Sequence, residues 1–61
     1  MVIDMMNITR DFAGAMEKDV KVFYNYNLGN FDVNVNDEVI SFYDEEGKNT
    51  VTEVQKFIGE I

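Results

Sequence analysis

The chain is 61 residues long and carries a net charge of −7, with no cysteine, histidine or proline. A chain of this length forms one domain, buries roughly 60% of its unfolded surface and has no room for a deep catalytic cavity. Without cysteine there is no disulfide framework or thiolate, and without histidine the commonest metal ligand and general base is missing; we expect no enzyme activity and no cofactor. No run reaches the length of a membrane span, and the start lacks the basic flank and long apolar stretch of a secretory signal, so a cytoplasmic location is expected.

Ile8, Phe12, Ala15 and Met16 fall at i, i+4, i+7 and i+8, with Met5 one turn earlier, and this spacing predicts a first helix. Asn7 is its expected N-cap, with Asp4 as the alternative. Gly14 lies inside it and should cost about 1 kcal/mol relative to alanine.

Val20, Val22, Tyr24, Tyr26 and Leu28 then alternate with Lys21, Phe23, Asn25 and Asn27, the period of a strand. Gly29 and Asn30 suit a hairpin turn, through a two-residue or a four-residue loop, and Phe31, Val33 and Val35 alternate with polar residues in a second strand. A two-residue turn at Asn36 and Asp37 sets Val35 opposite Glu38, Val33 opposite Ile40 and Phe31 opposite Phe42. One face is therefore apolar across all three strands, an agreement that a one-residue slip would destroy. The other face mixes Lys21, Asn25, Asn27, Asp32, Asn34 and Ser41 with Phe23, Val39 and Tyr43.

Glu45 to Asn49 reads as a polar loop. Thr50 and Glu53 match a capping box, and Val51, Val54, Phe57, Ile58 and Ile61 form the apolar face of a second helix, leaving Gln55, Lys56 and Glu60 to water. Gly59 is expected to fray the last turn.

The expected architecture is α+β: a three-stranded antiparallel β-meander with one helix before and one after it, both packed on one face. It is a single small domain over residues 1–61, with residues 1–5 allowed as a frayed extension. The expected core is Phe12, Tyr24, Phe31, Val33, Ile40, Phe42 and Phe57.

Charge is unevenly distributed. Residues 1–31 hold four acids and three bases, whereas residues 32–53 hold seven acids against Lys48 alone, a local charge of −6. Such a field disfavours direct contact with nucleic acid or an anionic membrane and attracts a basic protein groove. Solubility alone accounts for the charge at least as well. The candidate partner-binding residues are Asp32, Asn34, Asn36, Asp37, Glu38, Asp44, Glu45 and Glu46. Asp44, Glu45, Glu46 and Asn49 lack the spacing of an EF-hand loop, and no metal site is expected. The alternative is a structural or regulatory adaptor, or a homodimer, that uses the apolar outer residues Phe23, Val39 and Tyr43. The first and third strands of the meander are both potential edges; acids flank the third at Glu38 and Asp44, so if a dimer forms by sheet extension the first, with only Lys21 as an internal charge, is the expected seam.

Met6-Asn7-Ile8, Val35-Asn36-Asp37-Glu38-Val39-Ile40-Ser41 and Val54-Gln55-Lys56-Phe57-Ile58 together resemble the small acidic phage anti-CRISPR proteins that inhibit type II-A CRISPR effector nucleases. The resemblance implies a DNA mimic acting in the cytoplasm of a host cell, on a basic nucleic-acid-binding protein such as a CRISPR effector. It places Asn36, Asp37 and Glu38 in the hairpin that occupies the effector's basic cleft. That family also has a longer hairpin turn and a further acidic helix after the position of Ile61.

Overall fold

A computed structural model describes residues 5–61, and its centre is the hairpin of β3 (Asn30–Val35) and β4 (Glu38–Tyr43). Asn36 and Asp37 have φ of 51° and 68°, the pair of positive values that a two-residue type I′ turn requires. Val35 pairs with Glu38, Val33 with Ile40 and Phe31 with Phe42, the register expected from the apolar pattern.

On the other side of β3 lies β2 (Lys21–Asn25), joined by a four-residue loop, so Tyr24 pairs with Phe31 and Val22 with Val33. Asn25 sets this length. Its Oδ1 accepts from the amides of Asn27 and Leu28 at 2.9 and 3.1 Å, its carbonyl accepts from Gly29 at 2.8 Å, and Gly29 closes the loop at φ 68°. Tyr26 and Leu28 therefore leave the sheet and are exposed, contrary to their expected place on its apolar face. Asn30, expected in the turn, is instead a buried strand residue.

The expected first helix is not formed. Met5–Asn7 make a short strand, β1, paired antiparallel with β2, and the sheet has four strands in the order β1-β2-β3-β4. Of the segment allowed as an extension, residues 1–4 lie outside the described residues, as does the alternative cap Asp4, and Met5 begins β1.

Asn7 is not a helix N-cap: it ends β1, and the single 3₁₀ turn at Thr9–Asp11 has Ile8 at its N-cap, although the Asn7 side chain accepts from the Thr9 amide at 3.0 Å. The ladder to β2 runs on through Ile8, whose amide donates to the Val22 carbonyl at 2.9 Å. Next to it the Thr9 hydroxyl accepts from the Val22 amide at 3.0 Å. This chain of bonds covers an edge of β2 that a helix would have left open.

Further on, the Val20 amide donates to Ala15 and the Asp19 amide to Met16, with Asp19 at φ 58°, which is a Schellman closure. The helical stripe survives only as one turn; Ala15 and Val20 are buried and Met16 is exposed.

The last element, α1 (Thr50–Glu60), is helical as expected but begins on a different cap. Asn49 is the N-cap and accepts from the Thr52 amide at 3.1 Å, because asparagine caps at least as well as threonine and Thr50 is wanted elsewhere. Thr50 is buried, with its hydroxyl 3.4 Å from the Tyr43 carbonyl and 3.3 Å from Asp44 Oδ1. Val54 and Ile58 are fully buried and Phe57 partly, while Val51 and Ile61 are exposed despite their expected place on the buried face. Gln55, expected in water, holds the backbone of Ala13 through two bonds of 2.9 Å.

The core is Phe12, Ala15, Val20, Val22, Phe31, Val33, Val54 and Ile58, with Ile8, Tyr24, Val35, Phe42 and Phe57 packed around it. Phe31 meets Phe12 and Tyr24 edge to face at 6.4 and 5.0 Å. Ile40, expected in the core, stays exposed on the edge strand β4, although α1 packs on that strand through Phe57 against Phe42.

Candidate partner-binding surface

The structure divides the eight candidate residues into three groups. Asn36, Asp37 and Glu38 lie at the turn that begins β4, and Asp44, Glu45 and Glu46 follow its other end. Asp32 and Asn34 lie between them on the outer face of β3, beside Ser41 and Val39. At about 3.3 Å per residue, Asp37 and Asp44 are about 23 Å apart along the strand. That is more than twice the screening length of about 8 Å in physiological salt, so the two ends attract as separate patches.

Asp37, Glu38, Asp44, Glu45 and Glu46 are exposed. Among the described residues the one ion pair is Lys48 with Glu53, at 3.5 Å on the surface, so none of these five carboxylates is held by a basic side chain. Each end nevertheless has one cation nearby. Asn34, Asn36 and Asp37 line a small polar cleft with Asp19 and Lys21, and Lys48 lies in the loop after Glu46.

Asp32 is placed differently. Its Oδ1 accepts from Asn30 Nδ2 at 2.6 Å and from the Ser41 hydroxyl at 2.8 Å, which ties three outer-face residues together and leaves the carboxylate half-buried. Its role is to hold the hairpin's outer face. The Oδ1 of Asn30 is buried beside this knot with no partner.

The apolar outer residues do not form one patch. Phe23 on β2 is half-buried between Asn7 and Asp32, while Val39 and Tyr43 on β4 are about 60% exposed. The polar row Asn30, Asp32 and Asn34 runs between them, and strands two places apart in a sheet are about 10 Å apart.

An open cleft of about 700 Å³ lies apart from the eight candidate residues, between Asn7, Arg10, Asp11, Met16, Asp19 and Lys21. Its walls mix two basic with two acidic side chains. Among the described residues no group of three or more acids converges as a metal ion would require, and no helix is long and apolar enough to cross a membrane.

Sequence reasoning missed that Lys21 stands beside the hairpin turn, whereas Lys48 already stands out as the lone base of residues 32–53. With β1 covering β2, the first strand of the meander is interior and cannot serve as a dimer seam; the edge strands among the described residues are β1 and β4. Compared with known proteins, the chain matches no family model, no curated protein and no solved structure.

Proposed function

We propose that this protein is a non-enzymatic inhibitor that binds a basic, nucleic-acid-processing protein in the place of nucleic acid. One observation carries the reading: five exposed carboxylates, none in an ion pair, bracket a single exposed strand. Unpaired surface acids in two patches about 23 Å apart attract a basic groove of at least that length, and such a groove is built for a phosphate backbone. The resemblance of the hairpin sequence to the anti-CRISPR proteins makes a type II-A CRISPR effector the first partner to test. The adaptor or homodimer reading has less support, because its apolar residues are split by the polar row of β3.

The test is competition between the protein and target duplex for a guide-loaded effector, in a salt series. Binding should weaken steeply with salt, and Asp37→Lys with Glu38→Lys should reduce affinity by about a hundredfold or more, since like charges across an interface cost several kcal/mol. Asp11→Lys with Glu17→Lys makes the same change in net charge away from β4 and should have a much smaller effect. Equal losses from both pairs would reduce the effect to long-range steering, and affinity indifferent to salt and to both pairs would refute the proposal.

A further inference from the structure

We infer that the outer edge of β4 is a strand-addition site, and that its occupant is an extended segment of the partner with apolar residues in the middle and lysine or arginine at both ends. The inference rests on the reading above in one respect, that the partner is basic.

The backbone comes first. The type I′ turn makes Val35 and Glu38 a hydrogen-bonded pair, and the alternation of an antiparallel ladder then directs Glu38, Ile40 and Phe42 at β3. Val39, Ser41 and Tyr43 are left pointing outward. Among the described residues no strand pairs with that edge. The one outward group with a partner is the Tyr43 carbonyl, which the Thr50 hydroxyl reaches at 3.4 Å, as this alternation requires. The amides of all three residues and the carbonyls of Val39 and Ser41 remain for an added strand.

The side chains favour such a strand. Val39 and Tyr43 are 60% and 59% exposed on one face, and Ile40 is 36% exposed on the other. An added strand finds an apolar neighbour on both faces. Proteins usually blunt an open edge with a charge or proline inside it, yet Val39 to Tyr43 contains neither.

The charges decide the occupant. Acids stand at both ends of the edge, Asp37 and Glu38 at one and Asp44, Glu45 and Glu46 at the other. A second copy paired antiparallel about Ser41 would use every outward residue, but would set Glu38 opposite Asp44 of that copy at both ends, between chains that each carry −7. Like charges directly opposite destabilise a strand pair, whereas basic ends turn both contacts attractive.

The probe is a peptide of about nine residues, long enough to span β4 and both acidic ends at about 3.3 Å per residue, with two lysines at each end and alternating valine and threonine between. Amide exchange followed by NMR should show Val39, Ser41 and Tyr43 becoming protected on binding. N-methylation of alternate amides along the peptide's pairing edge should weaken binding at least tenfold, and glutamates in place of the lysines should abolish it.

Val39→Pro removes an outward amide without touching the β3 ladder and should lose the peptide, while Val39→Thr keeps it. Equal binding of the N-methylated peptide, or no protection of the three amides, would overturn strand addition and leave the acidic-inhibitor reading to its own competition test. Equal binding of the glutamate peptide would overturn the basic partner. Concentration-dependent protection of the same amides without peptide would make the occupant a second copy and overturn the proposal.

Discussion

Replacing Gly14 with alanine separates the structure from the helix that the apolar stripe predicts. In a helix interior the change gains about 1 kcal/mol. In the structure Gly14 has φ +82°, and a Cβ there would meet no atom within 4 Å, so only the backbone dihedral resists the substitution. Holding an L-residue in the left-handed region costs roughly 1–2 kcal/mol, of which about 0.4–1 is recovered because alanine restricts the unfolded chain. The net expectation is a loss of about 1 kcal/mol. In a domain this small that lowers Tm by about 4–8 °C, where the helix predicts a rise of the same size. Thermal melts followed by circular dichroism read the sign directly. D-alanine at the same position, introduced by chemical synthesis, favours positive φ and should raise Tm instead. A higher Tm for the L-alanine variant would show that residues 8–16 are helical after all.

Asp19→Gly should stabilise the fold by about 0.5–1 kcal/mol in urea titration, because Asp19 holds φ 58° at the Schellman closure and glycine adopts that region freely. Phe31→Ala should cost about 3–5 kcal/mol, since Phe31 is 7% exposed and packs on two rings, enough to unfold most of the population. Phe42→Ala should cost clearly less, because Phe42 is only half-buried against Phe57; equal midpoints for the two variants would contradict the observed core.

The β3–β4 hairpin was legible because two independent signals agree there, an Asn-Asp pair suited to positive φ and an apolar period that only one register satisfies. The N-terminal segment was not legible, because periodicity reports burial and says nothing about hydrogen bonding. Ile8, Phe12 and Ala15 are at least partly buried in the structure as they would be in a helix. What decides between the two is the edge of β2, whose Val22 amide and carbonyl are met by Thr9 and Ile8. That demand arises only once β2 is paired on its other side, so no local pattern contains it. Met16 shows the outcome, since a stripe member that is 66% exposed is not on a buried helix face.

The candidate site was legible to the same depth. Acids in a turn and in a loop are exposed wherever the flanking elements go, so Asp37, Glu38, Asp44, Glu45 and Glu46 could be read from position alone. Asp32 could not. Ser41 stands directly across from it in the expected β3–β4 register, but Asn30 was expected in the turn, and it becomes a strand neighbour of Asp32 only because the β2–β3 loop ends at Gly29. Lys21 reaches the turn in the same way, through the pairing of β2 with β3. β4 is an edge of the meander whatever precedes it, whereas the pairing of β1 beside β2 shows only in the structure. That pairing removes the expected dimer seam and leaves two edges among the described residues, the three-residue β1 and β4, of which β4 is the one that runs between the two groups of acids, so charge and free amides coincide there.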